Sequence, residues 1–229
     1  MSRIPIASLT ALAATLLLTG AASAQYFDNR PPPQPRSAAP YSMPFPGAAH
    51  GYNHDSGFLL RLSGGLGYAS TRSEASEAGR LDLRGATLDY NVAIGGIVAP
   101  NLAIHGTFFG WTMPESQFYI DSEREFGPLD GGTLNAFGPG VTYYLGDANV
   151  YFTGSVGLAF TSFEGGGFAF ATDPGFAIDV GIGKEWWVGP QWGVGIAAGF
   201  MFHSVGSGEP NIDGWQGSSF GLRFSATFN

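Results

Sequence analysis

The residues with the greatest capacity for chemistry are a few charged and imidazole side chains in segments that are otherwise apolar or small. They are Arg61, Asp89, His105, Asp179, Glu185 and Arg223. Each alternates with large apolar residues along its segment, so we expect all six on one face of a sheet. Enclosed guanidinium groups need carboxylate partners, because an unpaired buried charge is very costly. The pattern therefore predicts ion pairs inside an enclosed space.

Two interpretations of these ion pairs stay open. In the first, they fill the interior as a plug and fix the fold. In the second, they form a gate that exchanges partners and passes water or small ions. Arg61 and Arg223 are expected to be neighbours near the same end of the sheet, so each interpretation has them act together. The glycines that share this face are compatible with a roomy lumen or with close packing.

The sequence predicts no catalytic residue. His203, Ser204 and Glu209 are the side-chain types of a serine–histidine–acid relay. Because His203 and Ser204 are adjacent, they point to opposite faces if they lie on a strand. A hydrolase is therefore the weakest of the functions considered.

No metal site and no cofactor are predicted either. His50 and His54 lie in a Pro-rich segment that we expect to be flexible, and His105 has no second histidine on its face. The acidic stretch 114–132 can bridge to a lipid or a partner through divalent cations, but its spacing matches no calcium-loop motif. A solvated acidic loop is the simpler interpretation.

Composition excludes several classes of protein. The 229-residue chain has no Cys, 36 Gly and 12% charged residues, whereas globular proteins average about 25% charged residues. The lack of cysteine removes disulfide scaffolds, thiolate zinc sites and thiol nucleophiles. A net charge of −8 with no run of Lys or Arg argues against a nucleic-acid partner.

The chain divides into three parts by composition. Residues 1–24 combine one basic residue, an apolar run and an A-x-A-type site, which predicts a cleaved signal peptide. Residues 25–55 are rich in proline and predict an extended linker. Residues 56–229 alternate with period 2 and predict a β-domain.

The elements that must position the charged residues are eight amphipathic strands. Short connections alternate with long polar ones. The short connections lie near 99–101, 146–149 and 189–191, and the long ones lie near 70–85, 113–132, 163–175 and 203–217. An even number of strands with short turns at one end and long loops at the other is typical of transmembrane β-barrels. We therefore predict an all-β, eight-stranded antiparallel up-and-down transmembrane β-barrel.

Three features favour a lipid-facing apolar surface over a soluble barrel with an apolar interior. The other face is mostly Gly, Ala, Ser and Thr, and positions 134–202 contain a single basic residue, Lys184. Aromatic residues also mark both strand ends, as in the belts at membrane interfaces. The aromatics assigned to the short-turn interface are Trp186, Trp192 and Phe228.

The eight strands and the final segment, which runs from Phe220 to the penultimate Phe228, resemble the small bacterial outer-membrane barrels of the OmpA, OmpX and OmpW type. The resemblance implies an outer-membrane location, recognition of the last strand by the barrel-assembly machinery, and contact with lipid and lipopolysaccharide. A monomer is expected. The predicted function is structural or interactive, with four long extracellular loops that contact a surface ligand. The alternatives are a narrow channel for ions or small solutes and, more weakly, a lipid-A-editing hydrolase.

Overall fold

A computed structural model describes His54 and residues 57–76, 79–120, 123–129, 131–165, 168–208 and 211–229. The predicted signal peptide and all of the predicted linker except His54 lie outside the described residues. The described part contains eleven strands, which are β1 (Gly57–Ala75), β2 (Gly79–Ala99), β3 (Leu102–Met113), β4 (Ser116–Ile120), β5 (Glu123–Leu129), β6 (Gly131–Leu145), β7 (Val150–Gly165), β8 (Phe168–Ala171), β9 (Gly175–Trp187), β10 (Trp192–Val205) and β11 (Trp215–Phe228). Within it, no helix is long and apolar enough to cross a membrane.

Eight of the strands form a closed antiparallel ring. Its order is β1, β2, β3, β6, β7, β9, β10 and β11, and β11 pairs again with β1 from Leu60↔Phe228 to Arg72↔Gln216. Closure gives every ring strand two hydrogen-bonded neighbours, which removes the free edges that lipid does not tolerate. The predicted eight-stranded barrel is confirmed.

The outer face of the ring is a band of exposed apolar side chains. Leu66, Leu222 and Phe224 are 70%, 63% and 74% exposed. Every ring strand contributes to the band; representative members are Leu62, Leu88, Ile104, Val141, Leu158, Ile178, Ile196 and Leu222. A continuous apolar belt of this extent is far larger than a soluble monomer carries and is what the hydrocarbon of a bilayer requires.

The predicted long loop at 70–85 is wrong. Strands β1 and β2 stay paired as far as Ala75↔Gly79, so this region is a paired extension of the barrel wall. Its inward positions remain protected, since Thr71 and Leu83 are buried, while Arg72 and Arg80 point outward. Polar residues on the outer face are stable once a strand has left the membrane, and the same polarity makes the segment resemble a loop in the sequence.

Two of the other long connections, 113–132 and 163–175, also contain strands. Strand β4 adds to the outer edge of the β2 extension, β5 pairs with β4, and β8 pairs with β7. Together with the β1–β2 extension, β4 and β5 form a four-stranded sheet beyond the long-loop end of the ring, which we call the outer sheet. The aromatic residues at positions 118, 119, 168 and 170 lie in these added strands.

Candidate functional site

The interior of the barrel is built in tiers, and the tier nearest the short turns holds Arg61 and Glu185. Arg61 Nε lies 3.2 Å from Glu185 Oε1, and both side chains are almost completely buried. Thr227 donates its hydroxyl to the same carboxylate oxygen at 2.6 Å. The charge of Arg61 is thus neutralised by the carboxylate of Glu185 on β9. The hydroxyl of Thr227 on β11 donates to the same carboxylate oxygen. We call this group the lower ion pair.

Two tyrosines complete the surroundings of Arg61. Its guanidinium carbon lies 4.0 Å from the ring centre of Tyr151, a distance typical of a cation–π interaction. Arg61 Nη2 donates to the hydroxyl of Tyr144, and Nη1 donates to Thr142 Oγ1 at 3.3 Å. Alternation in the sequence places Tyr151 on the inner face, but the contacts of the two tyrosines with Arg61 depend on the closed ring and do not follow from it.

His105 belongs to a chain of hydroxyl groups beside the lower ion pair. Its Nε2 is 3.0 Å from Thr142 Oγ1, and its Nδ1 is 2.6 Å from Thr107 Oγ1. Ser155 donates to Thr107 at 3.2 Å. Through Thr142, His105 is connected to Arg61 by hydrogen bonds, and no carboxylate among the described residues pairs with it. These contacts occupy both ring nitrogens.

A second group, which we call the upper ion pair, consists of Arg223 with the carboxylates of Asp179 and Asp89. Its two terminal nitrogens each donate to one oxygen of Asp179 at 2.8 Å, in the bidentate arrangement that arginine makes with carboxylates. Asp89 Oδ2 lies 3.6 Å from Nη2 of the same arginine. Asn91 and Thr87 donate to Asp179 and Asp89 at 3.0 and 2.8 Å. One arginine thus joins carboxylates from β9 and β2.

Arg61 and Arg223 do not lie at one level, contrary to the prediction. Arg61 is opposite Thr227 in the β1–β11 register, whereas Arg223 is opposite Gly65, four positions along β1. The strands of a barrel are staggered by their tilt, so similar distances from a strand end do not mean similar heights. Each arginine has its own carboxylates, and the six predicted residues form two groups. Their role as a plug or a gate stays a prediction.

The glycines of the inner face provide room for these charged side chains. A Cβ atom at Gly221 would lie 2.2 Å from Asp89 Oδ2, and one at Gly199 would lie 2.8 Å from the guanidinium carbon of Arg223. At Gly183 a Cβ would be 2.4 Å from the ring of Tyr151. At these positions glycine reflects close packing and not an open lumen.

An apolar tier fills the long-loop end of the interior. Its large members come from six ring strands and are nearly inaccessible to solvent: Leu83, Phe109, Trp111, Met113, Leu134, Phe163, Met201 and Trp215. Partly buried side chains of the outer sheet, Phe118 and Ile120, pack against it. Sequence reasoning missed this tier, since strongly apolar residues in a membrane barrel are expected to face lipid.

The residues considered for a hydrolase do not form a relay in the described chain. His203 is completely buried, and its Nε2 lies 3.1 Å from Thr71 Oγ1. Ser204 lies on the opposite face of β10, and Glu209 is outside the described residues. In the parts of the chain that are described, no three His, Cys, Asp or Glu residues are grouped as a metal site would need.

His54 is held at the short-turn end of the barrel, which corrects its assignment to a flexible linker. Its ring stacks on Tyr144 at 3.4 Å between centroids, and its Nε2 lies 2.9 Å from Asn149 Oδ1. Asn229 contacts the other ring nitrogen, and the backbone N–H of Asn101 donates to the carbonyl of His54 at 2.7 Å. The Pro-rich sequence around His54 gives no indication that its side chain stacks on and hydrogen-bonds to residues of the barrel.

The predicted interface aromatics lie together on the outer face at the short-turn end. Trp192 is 44% exposed, is paired with Phe228 and contacts its ring edge-on at 5.3 Å. Trp186 is 43% exposed, and Lys184 Nζ lies 5.6 Å from its ring centre. Their role at the interface stays a prediction.

A closed ring with an apolar exterior and charged, paired interior groups defines a small transmembrane β-barrel of the outer-membrane type. The resemblance inferred from the sequence is thereby confirmed for the fold. No protein-family model matches the chain, and no curated protein sequence does.

Solved structures of similar architecture include three outer-membrane proteins. Neisserial surface protein A is 15% identical with a TM-score of 0.45, over 76% of this chain and 97% of that one. OprG from Pseudomonas aeruginosa is 11% identical with a TM-score of 0.45, over 78% and 99%. Ail of Yersinia pestis, in complex with the heparin analogue sucrose octasulfate, is 16% identical with a TM-score of 0.37, over 72% and 98%. At these values the similarity concerns general architecture.

The lower ion pair yields a test of how the interior is stabilised. Glu185→Gln leaves Arg61 buried without its carboxylate, and we expect it to lower the free energy of unfolding by about 3–5 kcal/mol. Arg61→Met with Glu185→Leu removes both charges and should recover most of that loss. Urea unfolding in lipid vesicles measures both. Lys184 follows Gly183 on β9 and lies on the outer face, next in sequence to the inward Glu185. Lys184→Gln is therefore the matched control and should lower the free energy of unfolding by less than about 1 kcal/mol.

The contacts of His54 yield a second test. His54→Ala removes a ring stack and a buried hydrogen bond, so we expect a loss of about 1–3 kcal/mol in the free energy of unfolding. Asn149→Gly keeps the left-handed backbone at φ 47° and removes only the amide. A double-mutant cycle between the two should give a coupling of about 0.5–1.5 kcal/mol. Additive losses would mean that His54 is not held by Asn149.

Proposed function

We propose that this protein is a sealed outer-membrane barrel with a structural role, which presents a sheet at the cell surface for contact with other molecules. The observation that carries the proposal is the filled interior. The two ion-pair tiers and the apolar tier lie one above another, so a solute would have to displace paired charges and then large apolar side chains. An eight-stranded ring encloses a space just wide enough for side chains to fill.

A narrow channel gated by the ion pairs is the alternative, and one observation favours it. Arg223 Nε and Ser219 Oγ are buried and make no hydrogen bond to the described residues. Water at such atoms would hydrate the polar part of the lumen. The apolar tier argues against passage beyond that part, because entry of an ion into an apolar constriction requires loss of its hydration shell.

The outer sheet supports the interactive part of the proposal. Phe118 and Ile120 fasten β4 to the apolar tier, so the sheet is an extension of the barrel core. Strand β5 pairs with β4 alone among the described strands, which leaves its other edge open. An open edge accepts an extended segment of a partner through main-chain hydrogen bonds.

Conductance across planar bilayers tests whether the barrel is sealed. We expect neither the wild-type protein nor Arg61→Gln/Arg223→Gln to give discrete current steps, because the apolar tier is intact in both. The double variant should nevertheless unfold at lower urea concentration. Both proteins must migrate faster unheated than boiled on SDS gels, which establishes that they are folded. Current steps in the wild-type protein that change in the double variant would establish the gate instead.

Removal of the β4–β5 hairpin tests the surface role. We expect cells that display the wild-type protein to adhere to protein-coated surfaces more than cells without it. Replacement of residues 115–130 by a short Gly-Ser turn should reduce adhesion to the background level, since the open edge is lost. The control shortens 206–214 and should leave adhesion unchanged. Adhesion that is equal in both shortened variants and the wild type would contradict the proposal.

A further inference from the structure

A cavity of about 170 Å³ opens on the outer surface of the barrel at the long-loop end. It is lined by Ser70, Arg72, Arg80, Asp82, Phe202, Gln216, Gly217 and Ser218. Its volume is well above the roughly 10–15 Å³ that one water molecule needs. The lining residues come from β1, β2, β10 and β11, so the cavity spans the seam where the ring closes.

The strand register fixes the height of this cavity relative to the apolar belt. Tyr68 and Phe220 are opposite each other, are more than half exposed, and form the aromatic row below it. Ser70 and Ser218 form the next outward row, and Arg72 and Gln216 the one after. Four residues correspond to about 13 Å along a strand, or about 10 Å above the aromatic row for a tilt near 40°. This is the level of lipid headgroups.

The basic residues of the barrel are distributed unevenly. Outside the lumen, the arginines of residues 57–229 are Arg72, Arg80, Arg84 and Arg124, and all of them are on β1, β2 or β5. This corner stands out in a chain of net charge −8. Arginines that are separated in the sequence are brought together only by the pairing of β1 with β2.

The acidic residues of the corner organise these arginines. Asp82 is buried, and its carboxylate lies 3.1 Å from Arg80 Nε and 3.3 Å from Arg84 Nη2. Glu74 is opposite Arg80 in the register. Arg72 makes no ion pair or hydrogen bond through its side chain to the residues that the structure describes. One carboxylate thus holds two arginine side chains in place, and Arg72, which is opposite Asp82 in the register, adds a third cation at the cavity.

We propose that this cavity binds the phosphate of a phosphorylated lipid headgroup in the surrounding leaflet. Arg72 can offer two parallel N–H donors, the arrangement that guanidinium groups use for phosphate. Arg80, whose Nε and Nη2 face Asp82, adds a second exposed positive charge to the same cavity. The hydroxyls of Ser70 and Ser218 and the amide of Gln216 are additional donors on the same wall. The inference depends on the membrane-spanning fold alone and stands whether or not the barrel is sealed or adhesive.

The position of the cavity selects a lipid over a soluble phosphate compound. Phe202 forms its apolar wall and contacts Phe176 at 6.0 Å between ring centres, so the cavity is continuous with the lipid-facing surface. A headgroup that places its phosphate between the arginines keeps its acyl chains against the apolar band below. A soluble phosphate ester would leave that apolar wall exposed to water.

Binding of lipid A by the folded full-length protein in detergent micelles, followed by native mass spectrometry, tests the proposal. We expect Arg72→Gln/Arg80→Gln to raise the dissociation constant about tenfold or more, because charge-assisted hydrogen bonds are lost. Dephosphorylated lipid A should bind the wild-type protein no better than lipid A binds the variant. Arg72→Lys/Arg80→Lys keeps the charge and should recover part of the affinity.

Two controls make the result decisive. Lys184→Gln removes a half-buried cation at the opposite end of the barrel and should leave the dissociation constant within about twofold. An equal loss in this variant would show general attraction of lipid A to positive charge and would overturn the proposal. Inorganic phosphate that binds as tightly as lipid A would overturn the lipid assignment. The variants must keep heat-modifiable migration on SDS gels, which separates loss of binding from loss of fold.

Discussion

Hydrocarbon offers no hydrogen-bond partner to a peptide group, and the architecture of this protein follows from that constraint. An unpaired backbone group in lipid costs several kcal/mol, so the first and last ring strands must pair. The β1–β11 register, unbroken from Leu60 to Arg72, satisfies it. Once the ring is closed, its outer face can only be apolar, and every charge within the membrane span must lie inside. The crowded interior, with its ion-paired charges, is a consequence of the closure.

The interior charges specify the arrangement of strands more than they add stability. Removing two ions from water is expensive, and a buried ion pair regains little beyond that cost. A shift of one strand by a single residue, however, would turn its charges toward lipid. Both ion-pair tiers use a carboxylate of β9, where Asp179 and Glu185 lie six positions apart on the same face. Strand β9 is thereby aligned with β1 and with β11, which close the ring.

The sequence predicts the ring well because period 2 is a local property. The side of each strand that holds Arg61, Asp179 or Arg223 follows from alternation with large apolar neighbours. The partner of each charge is a different matter: Arg61 and Glu185 are 124 residues apart, and the tilt and stagger that bring them together are properties of the closed ring. Composition suggested which groups must pair but not which pairs form.

The sequence analysis missed two regions in which the polarity of a strand face is the reverse of that expected in a membrane barrel. Trp111 and Phe163 are apolar and inward in a protein whose apolar residues mostly face lipid, so alternation alone assigns them no distinct role. The polar extension of β1 and β2 beyond Tyr68 resembles a loop because its outer face meets water. In both regions the surroundings change along the strand, from lipid to water outside and from ion pairs to apolar packing inside. A period-2 pattern does not contain that change.

His54 and Asn229 contact each other although they are 175 positions apart, which orders the steps of folding. A contact across such a separation closes a very long loop, and its entropic cost is met only when intervening structure has already shortened the path. The binding surface for His54 includes Tyr144 of β6, Asn149 of the following turn and the end of β11, so it does not exist before the ring is complete. Docking of this histidine is therefore a late event. His54, which is synthesised before the first strand, thus reaches its position only after the last strand has reached its own.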